Sequence, residues 1–511
     1  IFGSGSRTPI AITFLVKNPA KKGQKAIIHY HDIGDYLTRE QKLKMVKDFR
    51  SISSLKLDWQ VITPNEKADW INQRDGIFDN FIPLFDNIRG QGFFNYIPIG
   101  VLSSRDSWVC NFDKNTLLSN IHRMIDNYNT SINHLKAGDF NYNPTQIGWS
   151  ANLKKVASTG CLLNFIPESV TIYTYRLFQK SYLYYERSLI ERPGQWQHIF
   201  PPNCQNQVIG IKGTGGHKDF SLFLYDTIID YNNFEAGTKC FPLYWYEENK
   251  NQEGTLFDDA ETNRYIRRDG ITDWILKEVR NRFGGSRAIT KEHIFYYVYG
   301  LLHSNQYRER FADDLKKSLP RIPVVDNVQD FMAFYKAGKE LADIHLNYEQ
   351  GINVQTTGHD SDYTFFAEMP MLTHRFFGVK VIGDIDIWQN EWTDETYQYF
   401  VVDKMKFAKV RVENGKLVAD KTRIIYNGHI TIENIPLKAY EYIVNGKSAI
   451  DWIMERYAVT IDKASQIKND PNDWSKEHEQ PRYILDLLLS VIILSCQTVD
   501  IINSLPKLKY V

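Results

Sequence analysis

The sequence predicts a mixed fold in which α/β and α+β arrangements are combined, and three observations support this. The 511 residues exceed what one hydrophobic core usually organises, so two or three domains are expected. With 43% hydrophobic and 14% aromatic residues, the composition is typical of a densely packed globular protein and not of a disordered one. Apolar residues alternate in some segments and recur at helical spacing in others, which predicts both strands and helices.

The amino-terminal segment is predicted to be the edge of an α/β domain. Residues 10–16 have the apolar character of a strand. A helix is predicted from Thr38 as N-cap through Arg50, because threonine satisfies free amides at a helix start. Residues 96–102 form another strand-like run, placed at a sheet edge because Pro98 cannot donate a ladder hydrogen bond. A domain boundary is expected close after this run.

The rest of the chain is predicted to be a large mixed domain with a helical block. Apolar residues at helical spacing predict a helix over residues 111–128. Short β-rich runs follow at residues 170–176, 207–212 and 239–246. Helices are then predicted over residues 271–282, 291–303, 306–319 and 328–348, strands over residues 379–382, 399–402, 407–412 and 422–432, and closing helices from Lys438 and Gln480.

Charge, cysteine content and hydropathy restrict the class of protein. Lys plus Arg number 61, as do Asp plus Glu, so any surface for a polyanion has to be local. The five cysteines are odd in number and never form a Cys-x-x-Cys pair, which favours a reducing cytoplasm over a disulfide framework or a zinc ribbon. The most apolar run, residues 483–494, is short for a bilayer span. It predicts a buried helix and no membrane partner.

The usual catalytic motifs do not occur in the sequence. There is no Gly-x-x-x-x-Gly-Lys-Ser/Thr phosphate loop, no Gly-x-Ser-x-Gly turn and no His-Glu-x-x-His metal helix. His29 and His31 would share one face of a strand, but no third zinc ligand is evident. No catalytic residue and no metal ligand are therefore assigned.

One acidic pair supports an enzymatic alternative. Asp384 and Asp386 follow an apolar run, and an Asp-x-Asp pair after a strand can hold a divalent cation against a nucleotide diphosphate. With Trp388 and Trp392 nearby, this pattern keeps open a carbohydrate-active or nucleotide-sugar enzyme. A protein-interaction scaffold is a second alternative.

Three segments are candidates for contact with nucleic acid. A glycine-rich turn after a predicted strand offers backbone amides and a lysine to a phosphate; its residues are Gly213, Thr214, Gly215, Gly216, His217 and Lys218. A flexible break between two helices carries side chains that could reach a base edge or a phosphate of DNA. These are Arg280, Arg282, Ser286 and Arg287. A basic stretch contributes Lys404, Lys406, Lys409 and Arg411. The structural alternatives are a plain turn, helix capping with salt bridging, and a solvated strand face.

Several separate segments together resemble one protein family. The opening residues 3–12, GSGSRTPIAI, are similar to the late hairpin strand of amino-methyltransferases that modify adenine in DNA. The likeness continues in LDWQVITPN (57–65), CFPLY (240–244), YYVYGLLHS (296–304), YRERF (307–311), YIVNGKSA (442–449) and NDPNDW (469–474). Together these segments, which extend over nearly the whole chain, resemble the carboxy-terminal region of Type ISP restriction-modification enzymes.

The resemblance implies a two-part organisation and a function. Residues 1–105 would be the carboxy-terminal remnant of a DNA methyltransferase domain, at the edge of its α/β fold, and residues 106–511 the target-recognition domain. The chain would recognise sequence in double-stranded DNA. The nuclease, the ATP-driven translocase and the adenine methyltransferase of the parent polypeptide would cut and modify that DNA.

The resemblance also implies which cofactors belong to the parent enzyme. S-adenosylmethionine, ATP and Mg²⁺ would serve its other parts. None is expected in this chain, because the family's cofactor-binding glycine motif and its Asn-Pro-Pro-aromatic motif have no counterpart here. The sequence Asn143-Pro144-Thr145 does not qualify.

Overall fold

The computed structural model describes residues 11–34, 37–54, 56–137, 146–249, 264–349, 353–354, 363–364, 367–368, 378–383, 392–412 and 415–509. The chain forms two compact units, Ile1–Arg74 and Asp75–Val511. They are called unit 1 and unit 2.

The described residues of unit 1 contain an α-helix and a two-stranded ribbon, formed by β1 (Ile28–Tyr30), α1 (Arg39–Phe49) and β2 (Gln60–Ile62), and a short 3₁₀ turn at Pro19–Lys21. The strands are antiparallel, with Ile28 opposite Ile62. Thr38 caps α1 as predicted: its hydroxyl accepts from the Gln41 amide at 3.3 Å, and the Gln41 side chain accepts from the Thr38 amide at 2.7 Å. Residues 11–16 are exposed and form no strand. For residues 11–16 the predicted strand is therefore wrong, because among the described residues no neighbouring strand supplies hydrogen bonds to them.

Unit 2 is a mixed α/β structure of short strands and helices. Its first part contains β3 (Ile82–Pro83), α2 (Asp106–Val109), β4 (Cys110–Asn111), α3 (Lys114–Ala137), α4 (Ala151–Ser158), β5 (Val170–Arg176), β6 (Gln179–Tyr184), β7 (Val208–Lys212), β8 (Leu222–Tyr225), β9 (Ile228–Ile229), β10 (Thr238–Pro242), β11 (Tyr244–Glu248) and β12 (Tyr265–Asp269). The helical block that follows contains α5 (Asp273–Arg282), α6 (Lys291–Leu302), α7 (Asn305–Arg310), α8 (Ala312–Lys317), β13 (Arg321–Ile322) and α9 (Val328–Leu346).

The last part of unit 2 returns to strands and closes with helices. It contains β14 (Asn353–Val354), β15 (Tyr363–Thr364), β16 (Ala367–Glu368), β17 (Lys380–Ile382), α10 (Asp394–Phe400), β18 (Lys406–Arg411), β19 (Leu417–Ile425), β20 (Thr431–Glu433), β21 (Ile443–Val444), β22 (Lys447–Ser448), α11 (Ala449–Arg456), β23 (Thr460–Ile461), β24 (Lys468–Asn469), α12 (Pro471–Glu477) and α13 (Tyr483–Asn503). This order confirms the predicted mixed α/β fold and its helical block.

The described strands form small sheets, the largest of which has five strands in the order β15-β17-β20-β19-β18. β18 therefore lies at the edge of this sheet. It pairs antiparallel with β19, with Lys409 opposite Ala419 and Arg411 opposite Leu417, and the register shifts between Phe407 and Ala408. A bulge of this kind increases local twist and turns the outer end of a ribbon away from its sheet.

The helical block is built around α6 and α9, which cross at two glycines. An ideal Cβ placed on Gly338 of α9 would lie 1.9 Å from the carbonyl oxygen of Tyr296. One placed on Gly300 of α6 would lie 2.2 Å from the carbonyl oxygen of Phe334. The two helices therefore pack backbone against backbone, and glycine is required at both positions.

Two hydrophobic clusters form the core of unit 2, and α13 contributes to both. Leu488 belongs to the cluster that contains α3 and α11, whereas Ile501 belongs to the cluster around α6 and α9. By length and composition α13 could cross a membrane, but 78% of its apolar window is buried in the molecule. This is the pattern of a core helix, as predicted. The helix continues to Asn503, beyond the apolar run from which it was predicted.

Two further predicted strands, both in unit 2, are wrong. Residues 399–402 were expected to be a strand, but Tyr399 and Phe400 form the end of α10, which is capped by Thr393. Residues 96–102 make isolated bridges, such as Ile99 with Lys239, and no continuous strand. Strand formation depends on a partner strand and on burial, which apolar residues in one segment do not specify.

Two buried histidines predict that unit 2 loses stability in acid. His303 and His345 are buried in the helical core, with their rings 5.6 Å apart. Burial lowers the pKa of His303 to about 3 and the pKa of His345 well below its usual value. The unfolded chain binds protons below about pH 6.5, whereas the folded state keeps both rings neutral. Their contribution is present above pH 6.5 and decreases progressively below it, by up to about 1.4 kcal/mol per pH unit for each histidine.

Urea unfolding at pH 7.5 and pH 5 measures this effect. Burial raises the pKa of Asp230 and Asp486, which stabilises the folded state as the pH falls, so a matched variant is needed. In His303→Asn the amide can still donate to the Tyr299 carbonyl oxygen, which lies 2.9 Å from Nδ1 of His303. Between the two pH values the wild type should lose about 2 kcal/mol more than the variant. Equal losses of unfolding free energy in the wild type and the variant would show that protonation of His303 does not cause the acid sensitivity.

Candidate nucleic-acid interface

The glycine-rich turn connects β7 to β8 and is held by a glutamate. Oε2 of Glu235 accepts hydrogen bonds from the amides of His217 and Lys218 at 2.9 and 2.7 Å. The amides of Gly213 and Gly215 donate to carbonyl oxygens of other segments, both at 2.8 Å. These four amides are engaged within the protein. The side chain of Lys218 is the permanently charged group that this turn can offer to a phosphate.

Close packing accounts for two of the glycines in this turn. An ideal Cβ on Gly213 would lie 2.3 Å from the carbonyl oxygen of Ala236. Gly216 has φ +80°, and its Cβ would lie 2.5 Å from the carboxylate of Glu235. Thr214 and the two glycines after it are exposed. Packing therefore requires glycine at positions 213 and 216, independently of any role of the turn in binding.

A second hairpin is locked against this region. β21 and β22 are joined by Asn445 and Gly446, with φ +50° and +81°, values that suit a type I′ turn. The buried Asn445 donates its amide hydrogen to Ser221 Oγ at 2.8 Å and a side-chain hydrogen to the Asn233 carbonyl oxygen at 3.1 Å. Its Oδ1 accepts from the Glu235 amide at 3.2 Å. Three hydrogen bonds therefore fix the hairpin.

These contacts bring three cations around one buried indole. Trp452 of α11 is 3% exposed. Its ring centroid lies 5.7 Å from Lys218 Nζ, 4.9 Å from Lys447 Nζ and 5.2 Å from Arg456 Cζ, all within cation–π range. Lys218 was predicted as a site residue, whereas Lys447 and Arg456 were missed. The three residues with Trp452 are called the Trp452 cluster.

The predicted arginine segment lies at the carboxy-terminal end of α5. Nε and Nη2 of Arg280 donate to one carbonyl oxygen of the following loop at 2.9 and 2.7 Å. Arg282 pairs with Asp326 at 2.5 Å. Ser286 is half-buried and Arg287 is exposed. The first two arginines therefore make the contacts expected for helix capping and salt bridging, and Arg287 extends into solvent.

The predicted basic segment is an exposed edge strand. Lys404 precedes β18, whereas Lys406, Lys409 and Arg411 belong to it, and all four are exposed. Among the described residues, none of these four side chains is paired with a carboxylate. On the neighbouring β19, by contrast, Arg423 pairs with Glu433 at 2.6 Å. Lys421 of β19 is also exposed and has no carboxylate partner among the described residues, but most of the free positive charge of this sheet lies on β18.

The outer half of the β18–β19 hairpin is exposed on both faces. Val410, Val412 and Leu417 are all exposed, although strands of a packed sheet usually bury one face. A two-stranded ribbon fits the major groove of B-form DNA, and cations along its edge can neutralise phosphates beside the groove. We call this hairpin the basic ribbon.

Three of the four residues that supported the enzymatic alternative lie outside the described part of the chain. Asp384, Asp386 and Trp388 lie outside the described residues, whereas Trp392 packs 5.2 Å from the ring of Tyr397. In the part of the chain that the structure describes, no three His, Cys, Asp or Glu side chains form a group that could hold a metal ion.

Comparison with known proteins points to one family. A family model described as the Type ISP C-terminal specificity domain matches residues 92–487. No protein in the curated set matches the chain. The match to the family model supports neither the carbohydrate-active alternative nor the scaffold alternative.

Solved structures share the fold, and three of them are described below. A nuclease-deletion mutant of the Type ISP restriction-modification enzyme LlaGI, in complex with a DNA substrate mimic, is 36% identical over 99% of this chain and 35% of that chain, with a TM-score of 0.75. The ATP-dependent Type ISP restriction-modification enzyme LlaBIII bound to DNA is 34% identical over 95% of this chain and 28% of that chain, with a TM-score of 0.76. A DrdV–DNA complex, at 23% identity, covers 94% of this chain and 43% of that chain with a TM-score of 0.71, and shows the fold alone.

The chain spans about a third of the length of the two Type ISP structures. The family model nevertheless matches well over half of the chain. On this evidence the chain belongs to the Type ISP restriction-modification family and contains its C-terminal specificity domain.

Proposed function

We propose that this chain recognises a specific sequence in double-stranded DNA, as the specificity module of a bacterial restriction-modification enzyme. The observation that carries the proposal is the row of four cations at β18 of the basic ribbon, Lys404, Lys406, Lys409 and Arg411, which are exposed and have no carboxylate partner among the described residues. The membership of the family supports it, since the LlaGI and LlaBIII structures are complexes with a DNA substrate mimic and with DNA.

The proposal divides the work between two kinds of contact. The lysines along β18 fix the position of the module on the phosphates, which carry no sequence information. Arg411, near the end of the ribbon, has the planar donor pair that suits guanine O6 and N7 in the major groove. The exposed Val410 and Leu417 supply apolar contacts of the kind that thymine methyl groups accept.

The other activities are proposed for the parent polypeptide. We infer that it carries a nuclease, an ATP-driven translocase and an adenine methyltransferase, with S-adenosylmethionine, ATP and Mg²⁺ as their cofactors. The assignment of residues 1–105 to the methyltransferase and of residues 106–511 to target recognition stays a prediction. All five cysteines are free, which agrees with the reducing cytoplasm in which the proposal places the protein.

Selection from a pool of randomised DNA duplexes tests the proposal. The full chain should enrich one sequence motif, and the affinity for that motif should fall steeply with salt because phosphate contacts release counterions. Salt-dependent binding that enriches no motif would leave only a surface for the DNA backbone. A folded chain that binds no duplex would overturn the proposal.

A further inference from the structure

The positive charge of the Trp452 cluster is only partly balanced. Lys447 and Arg456 share one carboxylate, that of Glu455, which lies 2.7 Å from Arg456 Nη2 and is also bonded to Lys447. No carboxylate within ion-pair distance of Lys218 is found among the described residues. Three cations thus face one paired carboxylate.

The neighbouring charged groups do not restore the balance. Glu235 is bonded to the two amides of the glycine-rich turn and lies 3.8 Å from the buried Nζ of Lys212. Arg176 pairs with Asp230 at 2.6 Å. Counting Lys212 and Glu235 with the cluster, four cations face two carboxylates, so the region keeps an excess of positive charge.

Two of the three cations are partly withdrawn from water. Burial is the main cause that lowers the pKa of Lys218; Lys447 and Arg456 also lower it, whereas the carboxylates of Glu235 and Glu455 act in the opposite direction. Burial likewise lowers the pKa of Arg456. Nε of Arg456 is buried and has no hydrogen-bond partner among the described residues. An anion among these groups would relieve the repulsion between them.

The cluster is held in place before any ligand binds. Asn445 fixes the β21–β22 hairpin, and with it Lys447, against the segment that carries Glu235. Gly446 makes room for the stem of Lys218, since an ideal Cβ there would lie 3.1 Å from Lys218 Cδ. The cations need little further ordering to meet a phosphate, which lowers the entropic cost of binding.

We propose that Lys218, Lys447 and Arg456 form a phosphate clamp, a contact with the DNA backbone that is distinct from the basic ribbon. The identity of the phosphate as that of DNA rests on the proposed function. Because a backbone contact carries no sequence information, the clamp adds affinity and salt dependence and leaves the recognised motif unchanged.

The double variant Lys218→Gln with Lys447→Gln, in the full chain, tests the clamp. The slope of log affinity against log salt for the selected duplex should become shallower by about 1.8, which is about 0.9 for each lost phosphate contact. The selected motif should stay the same. Lys336→Gln, on an exposed position of α9, is the matched control and should leave the slope unchanged.

A variant that should bind DNA more tightly excludes misfolding as the cause of the change in the double variant, because a misfolded protein would lose affinity. Glu455→Gln removes the carboxylate shared by Lys447 and Arg456, so DNA binding should become tighter and its salt dependence steeper. A double variant with the wild-type slope, together with a Glu455→Gln variant of wild-type affinity, would overturn the clamp while leaving sequence recognition intact.

Calorimetric titration with inorganic tripolyphosphate separates the clamp from the proposed function. The wild type should bind tripolyphosphate and the double variant should not. If this difference appears in a chain that binds no DNA, the anion site stands and the proposed function fails. If wild type and double variant respond equally to tripolyphosphate and to DNA, the clamp is wrong.

Discussion

Reversing the charge of β18 should abolish specific DNA binding and leave the protein folded. In the triple variant Lys406→Glu, Lys409→Glu and Arg411→Glu, three exposed side chains change sign and no internal ion pair among the described residues is lost. Lost phosphate contacts and new repulsion should weaken binding of the selected duplex at least about a hundredfold, which corresponds to about 2.7 kcal/mol. Affinity by fluorescence anisotropy and melting temperature are the two measurements.

Glutamate is chosen because lysines on an edge strand have a second use. β18 leaves one side of its backbone unpaired, and charged side chains on such an edge prevent pairing with another chain. Glutamate keeps that protection, whereas glutamine at the same positions would remove both the protection and the DNA contact. Lys336→Glu, at an exposed position of α9, is the control for a charge reversal away from β18. A triple glutamate variant that binds DNA as tightly as the wild type would show that β18 is a solvated strand face and nothing more.

Substituting Gly338 by alanine should destabilise unit 2 by more than about 3 kcal/mol. An ideal Cβ at this position lies 1.9 Å from the Tyr296 carbonyl oxygen. The contact is with backbone, so no side-chain rotation can relieve it, and α6 and α9 would have to separate inside a buried core. Overpacking of a core with side chains typically costs about 1 to 3 kcal/mol of stability. A collision with backbone cannot be relieved by a change of rotamer, so its cost should exceed that range.

Urea unfolding of Gly338→Ala measures this cost. Gly428→Ala is the matched control, because a Cβ there meets nothing within 4 Å, and its stability should stay within about 0.5 kcal/mol of the wild type. If Gly338→Ala is also within about 1 kcal/mol of the wild type, the crossing of α6 and α9 is looser than the structure has it.

The elements with strong local signals could be predicted from the sequence. Thr38 marks the start of α1 because a capping hydroxyl acts within one helical turn. The helical block from α5 to α9 was also expected, since helical periodicity is a property of a single segment. The strand expected at residues 399–402 failed, because Tyr399 and Phe400 are buried at the end of a helix, where apolar residues are equally suitable.

The candidate site could be predicted only in part, because binding surfaces combine distant segments. The cations of β18 were identified since they are neighbours in sequence. Lys447 and Arg456 were missed, because nothing in their surroundings indicates that Lys218 lies beside them. The pair Asn445-Gly446 after an apolar run was an available signal for a tight hairpin, and it would have placed Lys447 on a rigid element. The sequence could not decide whether the arginines of α5 bind DNA or make contacts within the protein. The partner of an arginine side chain is set by tertiary contacts, which a single segment does not reveal.

α13 has a consequence for the order in which the protein is made. The helix contributes Leu488 to one hydrophobic cluster and Ile501 to the other, and it follows every other described helix in the chain. The ribosome therefore synthesises it after all the elements against which it packs. Until it emerges, both clusters expose apolar surface to the surrounding water, and exposed apolar surface of this kind promotes aggregation and binds chaperones. Unit 2 is thus expected to complete its folding after translation of its last helix and not segment by segment as the chain appears.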